Sequence, residues 1–472
     1  MRRMRLIALT ALLTLISLPM ASNAQSSSVM YGSSRNPMMN YMNPAFFPSK
    51  AKAYVSLPGL NMDFKSPLSY SNIFSYDSVS DKTIINANSI LDTMAGNGDI
   101  RFGSNIHTFG LGVNFDKFFI TLSTKAKMDM GFAMPEGLVT FLNEGNYNHT
   151  GNDYIELLDG QLISVRAYAE AALGFGYRIT KNISAGIRMK LLMGYFDLST
   201  AGSSARLYTA EDYSSITGVM NLNMNMSSFL KETTDANGEK KYEIGSLMPK
   251  NFGVNFDLGV RYSTDLFEVS ASIVDLGPGI HWTDGVKRIV SARENNTFTF
   301  TGADVSNMMT GGQMDSTYTQ MLLDSLKTLA EYKSIDGEAY WTSIPTKVNL
   351  GGMFHVNEYF SAGLHFHGEF DRGLTLVDDV LKTKLLGFYS NTTLMARAGF
   401  RDWIEVIVCA SVLSNNGNWD WFNPGFGVTI TPFRTLQLYA FMDYISNIYL
   451  IDAKQVNLSL GLNLLFGGKK DR

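Results

Sequence analysis

The run His365-Phe366-His367-Gly368-Glu369 sets two imidazoles and a carboxylate at alternate positions. On a β-strand, alternate side chains point to one face, so these three project together. Two histidines spaced this way can ligate zinc if a third donor joins them. The same groups can instead fill a polar interior with hydrogen bonds, and that is the reading we adopt: no metal and no cofactor. Charged residues recur in the same alternation along the chain. Lys125, Lys127, Arg166, Glu170, Arg188, Lys190, Asp257, Arg261, Glu369 and Arg397 each fall on the polar side of such a pattern, as do Glu268, Lys347, His355 and Glu405. Both signs are present, so these groups can pair with one another or line a selective pore. Sequence motifs of enzyme chemistry are missing: there is no G-x-S-x-G, no H-E-x-x-H and no P-loop. The expectation is a protein that is not an enzyme. Cys409 is the one cysteine, which excludes an intrachain disulfide. Its place beside outward Val408 makes it an inward packing residue. A net charge of −4 leaves no basic patch for nucleic acid.

These side chains need strands to position them, and the apolar pattern supplies them. Ile187, Met189, Leu191 and Met193 alternate with Ser184, Gly186, Arg188 and Lys190. Phe252, Val254, Phe256 and Leu258 alternate with Gly253, Asn255, Asp257 and Gly259, and Leu458, Leu460, Leu462 and Leu464 with Asn457, Ser459, Gly461 and Asn463. A soluble sandwich would turn such a stripe inward; a transmembrane barrel turns it to lipid and keeps the polar face inside. Facing lipid, each Lys or Arg would cost about 2–4 kcal/mol at the midplane, so the charged face is assigned to the lumen.

Strand length and loop sorting select the barrel. Fourteen strands are expected, near 52–64, 105–115, 118–128, 163–178, 183–199, 251–263, 266–276, 345–356, 359–370, 388–400, 403–413, 424–433, 435–445 and 456–466. Twelve and sixteen stay open as counts. Most strands have the ~10 residues that a tilted strand needs to cross hydrocarbon. Tight turns such as Asp116-Lys117 and Thr264-Asp265 alternate with long connections at 65–104, 129–162, 200–250, 277–344, 371–387, 414–423 and 446–455. That is the outer-membrane plan of short periplasmic turns and long external loops. Segments 206–226 and 284–301 are expected to be strands rising above the membrane. Residues 135–143 and 318–332 have helical spacing and are expected to pack the outer rim. The fold class is therefore all-β, a transmembrane antiparallel β-barrel over residues 51–467 with a periplasmic tail, 468–472.

The N-terminus suggests how the barrel is reached and filled. Arg2, Arg3 and Arg5 precede an apolar run from Leu6 to Leu18, then the small residues Ser22-Asn23-Ala24. This is the three-part pattern of a secretory signal peptide, residues 1–24, with cleavage expected after Ala24. Residues 25–50 then carry Met38, Met39, Tyr41, Met42, Asn43, Pro44, Ala45, Phe46 and Phe47. Proline forbids regular structure, yet burying each large apolar group is worth ~1.5–3 kcal/mol. The segment is expected to fold back as a plug, in a lumen where Gly110, Gly174, Gly253, Gly259 and Gly351 leave room. The last strand, 456–466, is expected to pair with the first and close the ring.

Three stretches carry a resemblance: NPAFFPSKAKAYVSLPGLNMDF from Asn43, AYAEAALGFGYRITKNISAGIRMKLLMG from Ala167, and LQLYAFMDY with VNLSLGLNLLFGG near the end. They resemble an uncharacterised outer-membrane β-barrel family of Bacteroidota. That family is similar in plan to the FadL-type hydrophobic-compound transporters and to the type IX secretion shuttle protein PorV. The Asn43-Pro44-Ala45 step resembles the NPA that opens FadL-like barrels. The resemblance implies a plugged barrel in contact with outer-membrane lipid. Two functions follow from it: passage of small hydrophobic compounds, with a small hydrophobic ligand, or a non-transporting surface barrel that binds a protein partner.

Overall fold

The structure is a computed structural model. It describes residues 27–48, 51–77, 82–85, 89–90, 93, 99–133, 135–159, 162–200, 202–234, 240–245, 248–293, 296–300, 331–377, 380–400, 403–415, 418–433, 435–445 and 454–467. The expected leader, the helix expected at 318–332 (all but its last two residues) and the expected C-terminal tail lie outside these residues.

The stripes become fourteen barrel strands. β1 has two segments, Ala53–Ser56 and Gly59–Lys65. β2 is Asp99–Asn114, β3 Phe118–Ala133, β4 Ile163–Arg178, β5 Ile183–Ser199, β6 Asn251–Ser263 and β7 Phe267–Leu276. β8 is Thr346–His355, β9 Phe360–Val377, β10 Val380–Phe400, β11 Ile404–Asn415, β12 Asn418–Ile430, β13 Leu436–Asp443 and β14 Gln455–Phe466. Each pairs antiparallel with its neighbours, and β14 returns to β1, with Ala53 opposite Phe466 and Leu60 opposite Leu460. The ring is closed, so no strand edge is left to face lipid without partners. Pro58 has no N–H to give the ladder. Across it, β1 advances four residues from Ser56 to Leu60 while β14 retreats three, from Asn463 to Leu460. That mismatch is a one-residue bulge.

Exposure follows the stripes. Ile187 is 44% exposed and Phe256 39%, whereas their neighbours Arg188 and Asp257 are 1% and 0% exposed. Exposed aromatics mark both ends of the wall: Phe115, Trp403, Phe433 and Phe466 at the short turns, Trp419, Trp421 and Phe422 at the other rim. An apolar outer band flanked by aromatic rows is the outer surface of a membrane-spanning barrel.

Two expected loops are instead strand. β9 and β10 stay paired to Val377 and Val380, and β11 and β12 to Asn415 and Asn418. Above the hydrocarbon neither face of a hairpin has to be apolar, so the stripe fades from the sequence while the ladder continues. Strands form within 204–228 and within 286–300, as their patterns suggested. Asn223–Ser228 prolongs the wall between the top of β5 and Val286–Ser291. Tyr154–Asp159, Ser204–Thr209, Ile216–Asn221 and Thr297–Phe300 make a separate four-stranded external sheet. The helix Glu136–Glu144 buries Val139 against Leu68, beside Ile100 and Phe132.

Candidate functional site inside the barrel

Residues 27–48 run through the lumen as two short helical turns and a proline-broken tail. Ser27 caps Ser28–Tyr31 by accepting from Met30 N at 3.0 Å. Asn36 caps the 3-10 turn Pro37–Tyr41 by accepting from Met38 N at 2.9 Å, and Pro37 stands where a missing N–H costs nothing. Val29, Met38, Met39, Met42, Phe46 and Phe47 are all buried.

The wall satisfies the polar groups of this segment. Asp443 of β13 accepts from Ser27 Oγ and from Val29 N at 2.9 Å. Glu405 of β11 accepts from Ser33 Oγ and from Ser34 Oγ at 2.8 Å, and Arg397 of β10 donates to Gly32 O at 3.1 Å. Arg188 donates to Asn40 Oδ1, Asn349 of β8 to Met42 O at 3.2 Å, and Ser184 to Ala45 O at 3.0 Å. Asn43 Nδ2 donates to Val260 O at 3.2 Å. Two wall glycines make the close approach feasible. A Cβ on Gly186 would meet the carbonyl of Pro44, and one on Gly259 would meet Asn43 and Pro44.

Segment and wall also share apolar cores. Val29 and Met38 pack with Met395, Ile407, Tyr439 and Phe441, with Cys409 at the margin. Tyr31, Met39, Met42 and Phe46 form a second cluster, and Phe47 meets Tyr54 and Phe119 in a third. On β13 the inward side is Gln437, Tyr439, Phe441 and Asp443, with Phe441 fully buried. The polar-inside rule is inverted there because the partner of these rings is the segment, not water.

A ladder of ion pairs lines the opposite arc. Lys127 lies 2.7 Å from Glu170, Lys190 2.8 Å from Asp257 and 2.6 Å from Asp275, and Arg188 3.7 Å from Asp257. Lys125 is 4.0 Å from Glu170, and Lys347 is 3.7 Å from Asp275. Arg166 pairs with Asp197 at 3.0 Å and Arg261 with Glu268 at 2.6 Å; on the arc of the apolar core, Arg397 lies 3.9 Å from Glu405. Glu369 is buried across the ladder from Lys347. Sequence reasoning missed Asp275, Asp443 and Asp63. Asp63 and Asp443 sit on inward positions that alternation could have marked. Asp275 escapes alternation because it has a positive φ of 60° within a bulge in the β6–β7 pairing.

His365 and His367 both face inward and are buried, with ring centroids 6.3 Å apart. His367 Nδ1 lies 2.8 Å from Asn349 Oδ1, and His365 Nδ1 3.1 Å from Ser28 Oγ. The His365 ring stacks on Tyr31 at 4.0 Å. Each imidazole is thereby engaged with the segment or the adjacent strand. Among the described residues, no group of three His, Cys, Asp or Glu is placed to hold a metal.

Comparisons with known proteins place the chain in a family. No curated protein matches it in sequence. Among solved structures, it is similar to the Pseudomonas putida toluene transporter TodX, with 11% identity over 95% of this chain and 96% of that one and a TM-score of 0.42. It is similar to the Ralstonia pickettii toluene transporter TbuX, with 9% identity, 92% and 94% covered and a TM-score of 0.45. A Pseudomonas aeruginosa FadL homologue gives 10% identity, 95% and 100% covered and a TM-score of 0.46. Residues 44–443 match the model of the family of unknown function DUF5723, and the chain belongs to that family.

Proposed function

We propose that this protein is a gated passage in the bacterial outer membrane for small hydrophobic compounds, with residues 27–48 as the hatch. The observation that supports this reading is the shared apolar column, in which Val29 and Met38 of the segment meet Met395, Ile407 and Phe441 of the wall. Movement of the segment would leave that wall stripe, with the Met395 thioether, the Ile407 side chain and the Phe441 ring, lining a path. Methionine adapts its shape to irregular apolar partners, which suits a path for varied small hydrophobes better than a rigid core does. The polar latches at Asp443, Glu405 and Arg188 would hold the segment in its resting position. In this reading the leader is removed after Ala24, the outer band contacts lipid, and neither a metal nor a cofactor takes part.

The test is uptake of a monoaromatic hydrocarbon into vesicles carrying the purified barrel. Met395→Arg puts a charge into the column, and the reading expects uptake to fall by about tenfold or more while the barrel stays folded. Equal uptake by both forms contradicts it. The competing reading, a non-transporting barrel with a protein partner, predicts no uptake by either form and a stoichiometric protein in a native pull-down.

A further inference from the structure

A narrow cavity lies between the lumenal segment and the ion-pair ladder. Lys125, Lys127, Lys190 and Lys347 converge on it from β3, β5 and β8, Asp275 supplies its one carboxylate, and Tyr41 closes it from the segment side. All four lysines are buried, at 8%, 4%, 2% and 4% exposure. Their carboxylate partners are unevenly shared. Lys127 takes Glu170 at 2.7 Å, and Lys190 takes Asp257 and Asp275. Lys125 is left 4.0 Å from Glu170, beyond hydrogen-bond reach, with its ammonium 3.9 Å above the Tyr41 ring. An ammonium carries three N–H donors, and burying one without an acceptor is costly. A water molecule could accept, but it would not neutralise the one positive charge left over when Glu170, Asp257 and Asp275 are set against the four lysines. A small anion does both.

We propose that this cavity binds a small inorganic anion of chloride size, held by Lys125 and its three neighbouring lysines, and that the anion ties the lumenal segment to the wall through Tyr41. The ring of Tyr41 has Arg188 on it as well, 4.6 Å away. Cations over an aromatic face attract it. An anion that fixes the lysine therefore fixes the tyrosine and the turn Pro37–Tyr41 that carries it. A cavity volume of about 20 Å³ admits a single small ion and not the head of a larger molecule. The proposal does not depend on what passes through the barrel.

Bromide is the probe, because its anomalous scattering locates it. Crystals of the full mature chain soaked in bromide should show a peak within hydrogen-bond distance of Lys125 Nζ, bordered by Lys127, Lys190 and Lys347. In solution, chloride in place of gluconate at equal ionic strength should raise the melting temperature of the wild type by a few degrees, since a ligand that binds only the folded state stabilises it. The same exchange should leave Lys125→Met unmoved. Wild-type crystals without bromide in the cavity overturn the proposal, and they do so whether or not the variant folds. A peak accompanied by equal chloride effects in both proteins marks an adventitious ion only and overturns it too. Neither result bears on hydrocarbon uptake, so the two claims fail separately.

Discussion

Arg188 on β5 stands directly opposite Asp257 on β6, Nη1 3.7 Å from Oδ2, and the same guanidinium donates to Asn40 of the lumenal segment. One wall pair thus connects the barrel to what fills it. Asp257 has a second cation, Lys190 at 2.8 Å, whereas Arg188 has no second carboxylate among its contacts. Asp257→Ala should therefore cost about 3–5 kcal/mol, the usual penalty for orphaning a buried charge. Arg188→Met should cost less. Urea unfolding of the refolded barrel measures both, and the opposite order would show that Lys190 does not support Asp257.

Removal of the leader, as proposed, would fix where the segment starts. Export should leave Gln25 as the first residue, and intact-mass analysis of membrane-extracted protein reads this directly. A chain that retains residues 1–24 would refute the assignment.

The glycines under the segment predict a selective loosening. Gly259→Val places a methyl-bearing carbon where Asn43 and Pro44 now lie. The closed barrel does not need that glycine, because β6 keeps its pairing to β5 through the backbone. Added protease should cut residues 27–48 several-fold faster in this variant, with the barrel itself still resistant. Unchanged cleavage would mean that the fit at Gly259 contributes nothing to holding the segment.

Lipid-facing positions should respond to charge as bilayer positions do. Met189 is 49% exposed on the outer wall of β5. Met189→Arg should destabilise the barrel by about 2–4 kcal/mol in bilayers. In a soluble β-sandwich the same exposed site would tolerate arginine, so a neutral result counts against membrane insertion of this face.

Above the membrane, Asp212 accepts from Ser214 Oγ at 2.6 Å and Ser214 N at 3.0 Å, which holds its carboxyl below the ordinary range. A depressed carboxyl stabilises its turn above the unfolded value of about 3.9, and that contribution is lost as pH falls through the folded value. Ser214→Ala should move the Asp212 titration upward in a carboxyl NMR experiment. A titration that stays where it was removes the turn as its cause.

The wall was readable wherever one face must meet lipid. The bounds of β4, β5 and β6 coincide with their stripes because residues such as Ile187 and Phe256 have a single solvent on one side and charges on the other. Legibility fails where that constraint is lifted. The β9–β10 and β11–β12 ladders outrun their stripes because above the hydrocarbon neither face has to be apolar. Tyr439 and Phe441 look misplaced until Val29 and Met38 are seen against them. Asp275 was invisible because a bulge and a left-handed φ, not alternation, aim it at Lys190. His365-Phe366-His367 was legible as an inward pair, but not that Tyr31 and Ser28 would engage the first ring.

Residues 27–48 are proposed to close this barrel, and conductance in planar bilayers tests that closure most directly. Full mature protein should pass almost no ionic current. A chain lacking residues 25–50 should refold, because the ring of backbone pairs from β1 to β14 does not include them, and should show large, stable open steps. Equal conductance of the two forms, each verified as a folded barrel, would contradict the account.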